Sequence, residues 1–122
     1  KEKKKHIVES SADFSDKFKQ LKRISNFSKI LDSGLVDFLN EKFPPEAISV
    51  IGSYSRGEDI KDSDIDIIII SKKEYYSVSL INFEKKLNRK IHLIITYYDK
   101  MSNEFYTNLI NGIVLYGYLN KK

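Results

Sequence analysis

The chain carries Gly52-Ser53-Tyr54-Ser55-Arg56-Gly57 and, after a short charged loop, Asp64-Ile65-Asp66. The first group is suited to holding phosphate. A glycine directly after an apolar run lets the chain reverse and lets a ligand approach the backbone closely. Ser53 adds a hydroxyl and opens a short helix, whose free N–H groups attract phosphate oxygens. Arg56, one turn further on, reaches the same anion through charge-assisted hydrogen bonds.

The second group is a pair of carboxylates. Side chains at i and i+2 of a strand share a face, so Asp64 and Asp66 stand side by side while Ile65 and Ile67 point into a core. At an effective dielectric near 20, two such charges ~6 Å apart repel by roughly 3 kcal/mol. A divalent cation removes that repulsion, and Mg²⁺ favours one or two carboxylates together with phosphate oxygens and water. Asp64 and Asp66 are therefore the candidate metal ligands, and Gly52, Ser53 and Arg56 the candidate nucleotide-phosphate residues. Asp59 and Asp62 read differently, as solvated loop residues.

Competing motifs fail. Asp62-x-Asp64-x-Asp66 begins like a calcium loop, but Ile67 stands where glycine is needed and Lys73 where the closing glutamate belongs. There is no Gly-Lys-Ser/Thr phosphate loop. His6 and His92 have no metal-ligand spacing. No serine has an identifiable histidine and acid partner.

The elements that must position these residues follow from periodicity. Phe14, Phe18, Leu21, Ile24, Phe27, Ile30 and Leu31 recur at helical spacing, with Lys17, Lys19, Lys22 and Arg23 on the wet side. Ser33-Gly34 interrupts the pattern. Leu35 to Phe43 resumes it, and Pro44-Pro45 ends it. Ala47 to Ile51 reads as a strand, Gly57 to Ser63 as a polar turn, and Asp64 to Ile70 as a strand covered on both faces. Val78 to Leu87 reads as a helix, Lys90 to Tyr97 as a strand, Glu104 to Asn111 as a helix and Ile113 to Leu119 as a last strand. If the strands ending at Ile51 and starting at Asp64 are neighbours, turn and carboxylates meet at one end of the sheet. Strands alternating with helices predict an α+β sandwich, a small mixed sheet with helices packed on it. Residues 1–10 read as a flexible lead-in, 11–45 as a helical segment on the same domain and 46–122 as the core, one domain overall.

The chain has 122 residues, a formal net charge of +4 and no cysteine, which excludes disulfides and thiolate metal sites. The excess charge lies mostly in Lys1, Lys3, Lys4 and Lys5, a pattern commoner in solvated ends than in nucleic-acid contacts. No apolar run approaches the length of a membrane span, so a cytoplasmic location is expected. The first residue is lysine, and the chain is read as a piece of a longer protein.

Gly52-Ser53, ten intervening residues and Asp64-x-Asp66 resemble the signature of the polymerase-beta-like nucleotidyltransferase superfamily. The match is nearest to its minimal nucleotidyltransferases, with Gly-Ser-x-x-Arg-Gly followed by Ser-Asp-x-Asp. It covers residues 46–96 most closely. The resemblance implies that Gly52 and Ser53 hold a nucleoside triphosphate and that Asp64 and Asp66 hold Mg²⁺, in a site for two metals. It implies attack of an acceptor hydroxyl on the α-phosphorus, with NMP transferred and pyrophosphate released. The family places a third acid on the next core strand, where this chain has His92. A neutral imidazole there can act as a base near pH 7. Asp99 and Glu104, just past that strand, are the alternatives.

The expected partners are an NTP and a hydroxyl acceptor on a protein, nucleic acid or small molecule, with a homodimer suggested by the phenylalanines of the first helix. The missing acid favours a second reading, a nucleotide-sensing module without turnover attached to a DNA-binding domain. Leu109 to Leu119 is similar to archaeal proteins that place such a domain behind a winged helix. The small size also resembles antitoxin partners of helical toxins. Tyr75-Tyr76 and Tyr97-Tyr98 are expected to pack at element ends, and Arg89-Lys90 to be a solvated charge pair.

Overall fold

The computed structural model describes residues 2–73 and 78–122, and side chains from Ser15 onward. Tyr75-Tyr76 lies outside the described residues, as does the side chain of Phe14. Helix α1 (Glu2–Ser33) is followed by α2 (Leu35–Lys42), β1 (Ala47–Ile51), α3 (Gly52–Arg56) and β2 (Ile65–Ile70). Next come α4 (Ile81–Leu87), β3 (Ile91–Thr96), a 3₁₀ turn at Tyr98–Lys100, α5 (Asn103–Ile110) and β4 (Ile113–Gly117). The strands form a mixed sheet in the order β3-β2-β1-β4. The architecture is the expected α+β sandwich.

The isoleucine run decides the layering. Ile65, Ile67, Ile68, Ile69 and Ile70 are fully buried, each stabilising the fold by about 1.5–3 kcal/mol. Alternation along β2 sends Ile65, Ile67 and Ile69 to a core shared with Ile30, Leu35, Leu39 and Phe43 of α1, α2 and its end. Ile68 and Ile70 face the opposite layer, with Tyr98, Met101 and Leu109. Helices thus cover both faces, and Asp66 shares the face of Ile68, under α5.

Pairing sets the register. β1 runs antiparallel to β2, with Ile51 opposite Asp66. β3 runs parallel to β2, with His92 opposite Asp66. The end of β1 and the starts of β2 and β3 therefore meet at one edge.

Three expectations are corrected. Helix α1 begins at Glu2, upstream of Phe14 and within the stretch read as a lead-in. Its orientation is corrected in part: Ile30 is buried and Lys17 and Lys19 are exposed as expected, but other positions exchange sides. Lys22, Arg23 and Asn26 turn toward the body of the protein, whereas Phe18, Leu21 and Ile24 are exposed. Helix α4 starts at Ile81 instead of Val78. Tyr97 and Tyr98 pack edge to face, with ring centroids 5.1 Å apart, as the packing reading expects. No helix among the described residues is long and apolar enough to cross a membrane.

Candidate functional site

The turn after β1 is built around Gly52. Its φ of 78° lies in the left-handed region, which glycine enters without penalty. A Cβ placed on it would lie 2.6 Å from Oδ2 of Asp66. The carboxylate of Asp66 therefore fills the space that any side chain at position 52 would need. The hydroxyl of Ser55 donates to the Gly52 carbonyl at 2.7 Å and braces the turn. Glycine bend and Asp66 carboxylate are thus in direct contact.

A cavity of about 250 Å³ opens beside this contact, lined by Gly52, Ser55, Arg56, Asp66, Asn108 and Asn111, with Ile51 behind them. Ser53 is half-buried and is not among its lining residues. Asn108 and Asn111 were missed by sequence reasoning. Helix α5 runs back along the sheet, so its last turn returns to the edge where Asp66 stands. The same return leaves Asp99 and Glu104 beyond the far end of β3, away from Asp66.

His92 completes the near side. Its Nδ1 lies 3.3 Å from Oδ1 of Asp66, and its side chain is 61% exposed. Asp64 stands one residue before β2, in the same parity as Asp66, and is exposed. It does not line the Asp66 cavity. It borders a wider groove of about 710 Å³ between the 61–64 loop, α4 and the start of β3. Arg56 borders the cavity, but its Nε donates to Glu58 Oε1 at 2.7 Å. That hydrogen bond holds the Glu58 carboxyl below its usual range.

Asp59, read as a solvated loop residue, is instead buried at 3% exposure. Its carboxylate accepts from Asn26 Nδ2 at 2.8 Å and from an Arg89 guanidinium nitrogen at 3.1 Å, and its carbonyl accepts from Lys22. Burial pushes its pKa up, but the hydrogen bonds from Asn26 and Arg89 and the charge of Lys22 outweigh it, and the net shift is downward. Asn26 also donates to the Tyr54 carbonyl at 3.0 Å, and Arg23 to the Ser55 carbonyl at 2.9 Å. Helix α1 thereby clamps the whole 54–59 segment. Arg89 is correspondingly not solvated, with 17% side-chain exposure.

The fit to a metal rests on the donor set. Among the described residues no group of three or more acidic, histidine or cysteine side chains could hold a metal ion. Asp64 and Asp66 offer hard oxygen donors, and Mg²⁺ commonly takes one or two carboxylates and completes its shell with phosphate oxygens and water. By donor chemistry alone the two residues suit Mg²⁺; Asp66 borders the small cavity and Asp64 the wider groove.

A family model described as "Nucleotidyltransferase domain" matches residues 32–116. This chain belongs to that nucleotidyltransferase family. The match takes in the sheet, the Gly52 turn and Asp64-Ile65-Asp66, and leaves out nearly all of α1. Two relatives come from Methanocaldococcus jannaschii, each named "Putative protein adenylyltransferase". One, MJ1379, is 36% identical over 61% of this chain and 79% of its own length. The other, MJ0126, is 30% identical over 67% of this chain and 83% of its own length. On the strand beside β2, the residue in register with Asp66 is His92.

Proposed function

We propose that this domain transfers a nucleoside monophosphate from an NTP to a hydroxyl acceptor, with Mg²⁺ held by Asp64 and Asp66. The observation that carries the reading is the contact between the Gly52 bend and the Asp66 carboxylate, at the mouth of a small polar cavity. Bound Mg²⁺ would offset charge on the phosphates. The glycine bend lets phosphate oxygens approach the backbone, and Arg56 adds a cation at the rim. The acceptor oxygen attacks the α-phosphorus, the α–β phosphoanhydride bond breaks, and pyrophosphate leaves. The acceptor proton goes to His92. With Nδ1 turned to Asp66, Nε2 is the nitrogen left to receive it. The names of the two archaeal relatives favour ATP as donor and a protein hydroxyl as acceptor.

The experiment combines α-labelled ATP, GTP, CTP and UTP with Mg²⁺ and candidate acceptors, reading label transfer and pyrophosphate release. Transfer that disappears in Asp66→Asn and on chelation of Mg²⁺ supports the reading. Absence of both transfer and nucleotide binding rejects it.

His92, standing where the resemblance implies a third acid, favours one other reading, a nucleotide sensor without turnover. Calorimetry would then show Mg²⁺-dependent NTP binding, lost in Asp66→Asn, with no pyrophosphate formed.

A further inference from the structure

Helix α1 has two unlike faces. The inward face joins buried Ile30 and half-buried Phe27 to Lys22, Arg23 and Asn26, which bond to the 54–59 segment. Rotating the helix to hide its apolar side would break that set. The outward face carries Phe18, Leu21, Ile24 and Leu31 at exposures of 55%, 58%, 64% and 43%. Spacings of three, three and seven put them on one stripe. Half-exposed side chains of this size together present apolar surface on the order of a few hundred Å², comparable with the largest patch on an ordinary monomer and often functional. The family match begins at residue 32, so the stripe lies outside the matched region.

We propose that two copies of this chain pair along this stripe, with their α1 helices antiparallel. Charge selects the occupant and the direction. Lys17 stands at one end of the stripe and Asp32 at the other, both exposed. A parallel pair would set Lys17 against Lys17 and Asp32 against Asp32. An antiparallel pair sets each Lys17 beside the Asp32 of the second copy, twice over. Such self-complementarity is what a two-fold interface requires of one surface. The two charges are separated along the helix by about 22 Å, from the 1.5 Å rise per residue. The midpoint falls between Ile24 and Ser25, so the two-fold axis passes beside Ile24, where the patch is most exposed. The pairing is independent of what the nucleotide site does.

The test is sedimentation equilibrium on the whole chain, with two engineered sets. The expected result is a mass near twice 14.2 kDa, falling to the single mass on dilution. Leu21→Glu with Ile24→Glu is expected to remain monomeric with unchanged far-ultraviolet dichroism. The chain has no cysteine, so Lys17→Cys and Asp32→Cys proteins give a clean second readout, one that survives if the glutamates unfold the chain. Mixed and mildly oxidised, they are expected to form a covalent dimer of unlike variants, while Lys17→Cys alone forms none. A monomer throughout the micromolar range overturns the proposal, as does a dimer that ignores the glutamates while they leave the fold intact. Cross-linking of Lys17→Cys to itself overturns the antiparallel arrangement.

Discussion

Gly52 and Asp66 occupy one another's space: the carboxylate oxygen sits 2.6 Å from where a Cβ on residue 52 would be. The relationship follows from register. Ile51 pairs with Asp66, and the next residue must turn away at once, at positive φ. An acid at the start of an apolar strand and a glycine at the end of its antiparallel neighbour are thereby one structural unit.

Gly52→Ala should damage that unit twice. The left-handed backbone costs an L-residue about 1–2 kcal/mol, and the methyl group displaces the carboxylate. Denaturant unfolding should show a loss of at least that size, and NTP binding should weaken tenfold or more. A variant with wild-type stability and binding would mean that the turn and the acid do not act together.

His92 supplies the second prediction. It faces Asp66 across β2 and β3, and its Nδ1 is 3.3 Å from the acid. Should it accept the acceptor's proton, His92→Ala should lower the transfer rate by about 10²-fold, the lower bound for a lost general base. His92→Asp, which restores an acid, should retain or exceed the wild-type rate. Pyrophosphate release at saturating NTP is the readout. Equal rates in all three proteins would remove His92 from the chemistry.

Much of this arrangement was legible in the chain. The five isoleucines of β2 demanded cover on both faces, and the conditional reading that the 47–51 strand neighbours β2 is what the pairing shows. The meeting of Gly52 with Asp66 followed from that pairing. What stayed hidden depends on contacts distant in sequence. A carboxylate at Asp59 looks the same in sequence whether water or Asn26 and Arg89 surround it, and those partners lie 33 and 30 residues away. Asn108 and Asn111 reach the cavity only because α5 folds back. Periodicity found the apolar stripe of α1, yet periodicity cannot say which side of a helix meets the body, and here hydrogen bonds from Lys22, Arg23 and Asn26 decided it.

Gly57 gives a third prediction, about the clamp. Its φ is 69°, and a Cβ there would lie 2.2 Å from the Lys19 carbonyl. Helix α1 and the end of α3 touch backbone to backbone. Gly57→Ala should force them apart and loosen the 54–59 segment. Amide hydrogen exchange should rise there and in the middle of α1, while β2 remains protected. Uniform protection in the variant would contradict the close approach.

Asp59 carries the last prediction. Replacing it with alanine strands Arg89, whose Nε already lacks a hydrogen-bond partner, and leaves Asn26 half-satisfied. Removing one member of a buried ion pair costs about 3 kcal/mol. The pH dependence follows from its lowered pKa. An unfolded aspartate titrates near about 3.9, above the folded value, so in acid the unfolded chain binds the proton first. The stabilisation is complete well above that pH and drains away as pH falls through the folded pKa. Asp59→Asn keeps the shape and removes the titration. Its unfolding free energy should therefore be lower than wild type at pH 7, and the two should converge toward pH 2. Parallel curves for the two proteins across that range would show that the Asp59 carboxylate is not held by charge.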